Sequence, residues 1–246
     1  MIGIIGYGMV GKAVEFGFSK TQVICSDPEY NDISVEDICK QAPDAIFVCV
    51  PTPTNDTNYS ILTSVLDRIE STGYIGIVVV KSTILPDYLV PYNIVYNPEF
   101  LSRATANTDF TDPPFVLIGC NDDRQGFKLA DIYRTQSIVN MDKVIFTDVK
   151  TAAMAKYCMN SFYATKVTFM NQMYDVAQQL GVKWPHVTSI LANHPWMGTH
   201  HFQVPGPDGE RGFGGPCLPK DTEALVKEFD VELLKSVLEI NQKYRS

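Results

Sequence analysis

Long hydrophobic runs, paired cysteines and an excess of positive charge are all missing from this chain, and each absence narrows what it can be. Its apolar stretches, of which Ile75–Val80 is typical, are strand-sized, whereas a membrane helix needs ~20 consecutive apolar residues. No membrane span is expected. The start, MIGIIGYGMVGKAVEF, lacks a basic opening and is broken by glycines, so it does not read as a secretory signal. Cys25, Cys39, Cys49, Cys120, Cys158 and Cys217 are scattered, with no CxxC pair. That argues against a zinc site or a dense disulfide framework and fits reduced thiols in the cytoplasm. His200 and His201 are neighbours that face apart, with no acidic or histidine partner at ligand spacing, so no metal is expected. Lys+Arg total 20 against 28 Asp+Glu, a net charge of −8. Such a surface has no general attraction for phosphate backbones or anionic lipid, which excludes nucleic acid and membrane as default partners. An anionic ligand needs a local cluster of cations.

A packed core is within reach, with 45% hydrophobic and 20% charged residues over 246 positions. The first half alternates strand-like and helix-like segments. Strands are expected at Met1–Ile5, Thr21–Ser26, Asp44–Val50, Ile75–Val80, Asn93–Tyr96, Phe115–Ile118 and Val144–Phe146. They are continuous apolar runs rather than strict alternations, the pattern of a parallel sheet buried on both faces. Intervening segments such as Ile61–Ser71 and Asp123–Arg134 supply helical crossovers. The character changes near Asp148. Lys150–Leu180 has no proline and reads as one helix of about 30 residues. His186–Ala192 reads as a short helix, Asn193–Pro216 as a loop, and helical patterning runs from Pro219 to the end. The expected fold class is α/β, a doubly wound, mostly parallel sheet followed by an all-α domain on a long helix. The expected domains are 1–148 and 149–246.

The chemistry begins at Gly6-Tyr7-Gly8-Met9-Val10-Gly11, which matches GxGxxG between a strand and a helix. Gly6 suits a tight turn, Gly8 a close approach of backbone to a pyrophosphate, and Gly11 close helix–strand packing. Asp27 ends the next strand, where it can accept from the ribose hydroxyls and repel a 2′-phosphate. No arginine follows it, so NAD is expected rather than NADP. Cys217 lies in Gly212–Asp221 (GFGGPCLPKD), just before Pro219, which suits the first turn of a helix. A thiol at a helix N-terminus beside Lys220 favours the nucleophilic thiolate. The other five cysteines read as small buried hydrophobes. Lys156 and Asn160 are four apart on one face of the long helix, where they can stabilise an oxyanion or simply face solvent. Lys81-Ser82-Thr83 and Asn97-Pro98-Glu99-Phe100-Leu101 each follow a strand, where ligands gather in open α/β sheets, though a surface carboxylate or a helix cap is the plainer reading. Trp184 and Trp196 flank prolines and read as packing anchors.

In this order, Gly6–Gly11, Val50-Pro51-Thr52-Pro53-Thr54, Lys81–Thr83, Asn97–Leu101, Lys156–Asn160 with Ala164-Thr165-Lys166, and Gly212–Asp221 resemble the UDP-glucose/GDP-mannose dehydrogenase family. The resemblance runs from Met1 to the last helix. Cys217-Leu218-Pro219-Lys220-Asp221-Thr222, with Leu225, looks most like the bacterial UDP-glucose 6-dehydrogenase branch.

The resemblance implies an NAD-dependent oxidoreductase that converts the primary alcohol of a nucleotide-sugar to a carboxylate, in nucleotide-sugar metabolism and polysaccharide biosynthesis. Cys217 would attack an aldehyde to give a thiohemiacetal, which is oxidised to a thioester and hydrolysed. Lys156 and Asn160 would hold the oxyanion. Asp221 with Thr83 would position water, and Glu99 would serve as acid and base. Gly6, Tyr7, Gly8, Met9, Val10, Gly11, Asp27, Thr52, Thr83 and Lys220 would line the cofactor site. Glu99, Phe100, Leu101, Lys156, Asn160, Gly214 and Gly215 would contact substrate. The long helix, with Met154, Phe162, Phe169, Met170 and Met173, would join two subunits into a homodimer. The family's third, nucleotide-gripping domain does not follow within the 246 residues, so half of the usual substrate site is expected to be missing, and a separate chain that supplies it stays open. Ser102-Arg103, Ala153 and Pro216 depart from the family pattern, and Pro205–Arg211 is unusual beside it. Two other readings stand beside this one. One is a β-hydroxyacid dehydrogenase-like enzyme, which needs no Cys217. The other is a non-catalytic dinucleotide-binding protein.

Overall fold

The computed structural model describes residues 1–53 and 59–245. Thr54, the last residue of the Val50–Thr54 motif, lies outside them. The described chain forms two compact units, Met1–Lys156 and Tyr157 onward.

The first unit alternates as the apolar runs predict. Strand β1 (Ile2–Ile5) leads into helix α1 (Met9–Gly17), then β2 (Val23–Ser26), α2 (Val35–Lys40), β3 (Ala45–Val48), α3 (Ser60–Ser71) and β4 (Ile77–Val80). A 3-10 turn at Pro86–Leu89 precedes β5 (Val95–Tyr96), α4 (Ala106–Thr111), β6 (Val116–Cys120), α5 (Asp123–Gln136) and β7 (Val144–Thr147). The sheet order is β2-β1-β3-β4-β5-β6-β7, parallel throughout except for the antiparallel β5–β6 pair. Every residue of β1, β3 and β6 is buried, which is why these strands are unbroken apolar runs rather than alternations. Phe18, Phe47 and Tyr133 meet in the core at ring separations of 5.1–5.9 Å.

The chain leaves β1 in one direction along the sheet to reach β2, and in the other to reach β3. That reversal opens a crevice at the carboxyl ends of β1 and β3, the place where open α/β sheets bind ligands. The end of β4 is stitched to the end of β3. Ser82 Oγ donates to the Val50 carbonyl at 2.6 Å, and Thr52 Oγ1 donates to the Thr83 carbonyl at 2.8 Å.

The long helix α6 (Val149–Gln179) is one uninterrupted element. Its portion from Tyr157 belongs to the second unit, with α7 (Trp184–Ala192), α8 (Leu218–Phe229) and α9 (Glu232–Arg245). The helical patterning expected after Pro219 resolves into two helices, because Asp230 adopts φ 54° and caps α8 in a left-handed turn. The core here is small: Met170, Ala177, Trp184 and Phe202 form one cluster, and Ala164, Phe213 and Val237 another. Trp184 anchors as expected, with Nε1 donating to the Phe202 carbonyl. Trp196 does not. It is 91% exposed.

Candidate active site

The fingerprint glycines behave as their spacing predicts. Gly6 has φ +91°, and a Cβ there would lie 2.7 Å from the Cys49 carbonyl oxygen. A Cβ on Gly11 would sit 2.2 Å from the Gly6 oxygen, so helix and turn touch. Gly8 differs, with nothing within 4 Å of an added Cβ. It opens α1 as the N-cap without a side-chain hydrogen bond, and no acidic residue stands in the first turn, where Met9 and Val10 are half-buried. The contrast is α2, closed by a Ser34–Asp37 capping box. An open N-terminus with bare backbone is what a pyrophosphate needs, so this chain's residues fit a dinucleotide. Asp27 sits beside the turn. Its carboxylate accepts from the Tyr7 N–H at 2.6 Å and the Glu29 N–H at 2.9 Å. Sequence reading did not single out Tyr30 or Lys12. Tyr30 stands edge-on to Tyr7 at 5.3 Å, and Lys12 donates to its hydroxyl.

Glu99 and Lys156 form a buried ion pair, exposed by only 8% and 3%. Lys156 Nζ donates to the Glu99 carbonyl at 2.6 Å and to Oε1 at 3.1 Å, while Oε2 accepts from the Leu101 N–H at 2.7 Å. The Phe100 ring centroid lies 5.2 Å from the same ammonium. Beneath the turn, Lys81 Nζ donates to both the carbonyl and Oδ1 of Asn97, and Tyr133 also donates to that Oδ1. Burial pushes the Lys81 ammonium down to about 8. A cavity of about 110 Å³ opens here, lined by Lys81, Glu99, Phe100, Leu101, Phe110 and Tyr133 among others.

In the second unit Cys217 is half-buried and serves as the N-cap of α8, with Pro219 in the first turn. Its carbonyl accepts from the Asp221 N–H. Asp221 is wholly buried, and its carboxylate accepts from Asn160 Nδ2 at 2.5 Å and from Lys220. The hydroxyls of Ser161 and Thr222, neighbours of this pair in sequence, are buried with no hydrogen-bond partner among the described residues. An ordered water or a substrate hydroxyl would satisfy them. Gly214 and Gly215 lie just ahead of the thiol, Gly215 with φ +76° and open space around it. Lys156 and Asn160, nominated as one donor pair, thus take separate partners, Glu99 and Asp221. All six cysteines are thiols; of the five expected to be buried, Cys39 and Cys120 are, Cys25 and Cys49 are half-buried, and Cys158 is exposed. No group of His, Cys, Asp and Glu among the described residues could hold a metal ion.

Residues 31–137 match the NAD binding domain of the UDP-glucose/GDP-mannose dehydrogenase family, and residues 150–243 match its central domain. The chain belongs to this family. NAD is the cofactor of its first domain. A Rickettsia felis UDP-glucose 6-dehydrogenase is 32% identical over 223 residues, 82% of this chain and 48% of that protein. The chain thus spans about half the length of the curated relatives it matches. A UDP-glucose dehydrogenase from the hyperthermophilic archaeon Pyrobaculum islandicum superimposes with a TM-score of 0.81 at 25% identity, covering 98% of this chain and 68% of that one. A Mycobacterium tuberculosis 3-hydroxyisobutyrate dehydrogenase shares the fold, with a TM-score of 0.78 at 14% identity, covering 99% of this chain and 92% of the other. Among the described residues no helix is long and apolar enough to cross a membrane.

Proposed function

We propose that the chain is an NAD-dependent nucleotide-sugar dehydrogenase that oxidises the primary alcohol of UDP-glucose, or a related UDP- or GDP-sugar, to the uronic acid. The observation that carries this reading is Cys217 at the head of α8, one turn before a buried Asp221 held by Asn160 and Lys220. A two-electron alcohol dehydrogenase needs no such thiol. The relatives named above, UDP-glucose dehydrogenases, support the substrate class.

Bound NAD supplies a hydride acceptor. Gly6, Tyr7, Gly8, Met9, Val10 and Gly11 would hold its phosphates, Asp27 would accept from its ribose hydroxyls, and Thr52, Thr83 and Lys220 would complete the site. After the first oxidation the Cys217 thiolate adds to the aldehyde carbon, giving a thiohemiacetal whose oxygen Lys156 and Asn160 stabilise. Loss of a second hydride, for which a second, oxidised NAD would be the acceptor, leaves a thioester. Water then adds to the thioester carbon, the C–S bond breaks, and acid and thiol are released. Asp221 and Thr83 orient that water, and Glu99 moves its proton. Phe100, Leu101, Gly214 and Gly215 contact the sugar.

Two moles of NADH per mole of sugar support this reading in an assay of UDP- and GDP-sugars with NAD. One mole favours the hydroxyacid dehydrogenase reading, with which the fold alone agrees. None across the panel favours a binding protein. The six thiols fit a reducing, cytoplasmic setting. Phe162, Phe169, Met173 and Val176 expose 37–61% of their surface along α6, which supports a homodimer on this helix, with Met170 turned into the unit's own core. Light scattering at micromolar concentration tests that assembly. A separate chain covering the nucleotide is tested by whether UDP-sugar binding is weak alone.

A further inference from the structure

The residues ahead of Cys217 are fastened by groups that the chemistry above does not use. Asn241 of α9 is buried, and its amide pairs with the backbone of Phe213 like a second peptide. Oδ1 accepts from the Phe213 N–H at 2.7 Å, and Nδ2 donates to the Phe213 carbonyl at 2.9 Å. Asn171 of α6, 2% exposed, holds the two residues before it. Its Oδ1 accepts from the Gly212 N–H at 3.1 Å and from Arg211 Nε at 3.2 Å. Arg211 also donates to the Asn171 carbonyl, pairs with Asp175, and lies 4.2 Å over the Tyr244 ring. Tyr244 donates in turn to Asp175. Gly212 has φ +71°, and a Cβ there would strike Asn241 Oδ1 at 2.4 Å. The approach of the Asn241 amide therefore depends on glycine at this position.

An apolar contact could bury the Phe213 ring, but it would leave the ring's own peptide N–H and C=O unpaired, at the full cost of their desolvation. Asn241 removes that cost, Asn171 does the same for the Gly212 N–H, and together they fix the direction in which the chain leaves toward Gly214. Four residues later Cys217 enters α8, where Asp221 is pinned by Asn160. The segment free to move between these anchors is short, and the thiol is on it. We infer that Asn171 and Asn241 are positioning residues that lock the glycine loop and so set where the Cys217 sulfur stands. The kinetic consequence rests on Cys217 being the nucleophile; the lock itself does not.

The test compares wild type with Asn241→Leu, which is close in size and cannot pair with a peptide. Both are treated with iodoacetamide, and alkylation of each cysteine is followed by peptide mass spectrometry. A short reference peptide carrying one cysteine, added to both samples, serves as the internal clock. Cys217 in the variant is expected to react on the order of tenfold faster relative to the reference peptide, as loop opening becomes easier by about one buried hydrogen bond. With UDP-glucose as substrate, kcat falls while KM for NAD stays at its wild-type value. A Cys217 rate equal to or below wild type in the folded variant overturns the inference, as does a fall in kcat with Cys217 reactivity unchanged. Arg211→Met, at a partly exposed position, is read the same way with a smaller acceleration, and it decides the matter if Asn241→Leu does not fold. A wild type without dehydrogenase activity sinks the functional reading, while the alkylation result still decides the lock.

Discussion

The sheet unit and the helical unit hold their polar groups by different means. In the first, Thr52, Lys81, Ser82 and Glu99 stand where parallel strands end, and most of their partners are main-chain groups of neighbouring strand ends and turns. In the second no sheet offers such an edge. Asn160, Asn171 and Asn241 do the holding with side-chain amides, around two small apolar clusters. A sheet edge is rigid because many residues share the register. A loop between helices is only as rigid as the few side chains that bind it. Single substitutions should therefore perturb the thiol unit through position, and the sheet unit through buried charge.

The largest effect is expected where chemistry and position coincide. Cys217→Ser should lower acid production by at least about 10³-fold, because a serine hydroxyl is a far weaker nucleophile near neutral pH than a thiolate. NAD affinity, followed by fluorescence titration, should not change. Acid formed at the wild-type rate would remove Cys217 from the mechanism.

The sheet unit should fail on charge. Lys156→Met takes the ammonium from Glu99 and leaves a buried carboxylate with the Leu101 N–H. Removing one partner of a buried pair costs about 3–5 kcal/mol, whereas neutralising both is far milder. Urea unfolding should show that loss in Lys156→Met and much of it restored in Lys156→Met/Glu99→Gln. Equal losses in both variants would contradict the pairing.

Lys81 gives the same unit a pH signature. Its ordinary value of 10.5 is pushed down to about 8 by burial. Between those values the unfolded chain binds the proton that the native chain has released, so stability rises with pH across that window. Below about pH 8 both states are protonated and this contribution is flat. Half-buried Cys49, whose thiol is raised to about 12 by desolvation, acts in the opposite sense above its ordinary value of 9.0, because the native thiol keeps a proton that the unfolded one loses. The difference between wild type and Lys81→Met largely cancels that thiol. It should move in favour of wild type by about 2–3 kcal/mol from pH 7.5 to 10. A flat difference would show that Lys81 does not carry the burial penalty.

The two units also differ in how far they could be read from sequence. All seven expected strands are present, because each is a short apolar run; burial in the sheet explains the central ones, while β7 at the edge keeps Ile145 and Phe146 exposed. Helices α2 and α4, six residues each, carry too short a pattern to stand out. The break at Asp230 was illegible because an aspartate, not a glycine, takes the left-handed cap. The site's residue types were legible from motifs, but their pairings were not. Lys156 and Glu99 are 57 positions apart, and Asn160 and Asp221 are 61 apart. Nothing local links them. Asn171 and Asn241 were missed because an asparagine in a helical pattern reads as a solvated polar position. The one available signal was Gly212, whose left-handed turn faces a side chain that must come close.

The smallest effect should fall at the edge of the sheet unit. Asp27 is held by two backbone N–H groups, from Tyr7 and Glu29, and its position depends on the fingerprint turn rather than on any distant side chain. Asp27→Ala removes the acceptor for the ribose hydroxyls and the charge that repels a 2′-phosphate. The turn keeps Gly6, Gly8 and Gly11, so the pyrophosphate site persists. NAD binding should weaken by about tenfold, the scale of one or two hydrogen bonds to a charged group, and NADP should bind nearly as well as NAD. Cys217 alkylation should stay at its wild-type rate, since the lock on that thiol lies wholly in the other unit. Titration of both cofactors against both proteins checks the first part. A wild type that already binds NADP at least as tightly as NAD would make the reading of Asp27 wrong, whatever the variant does.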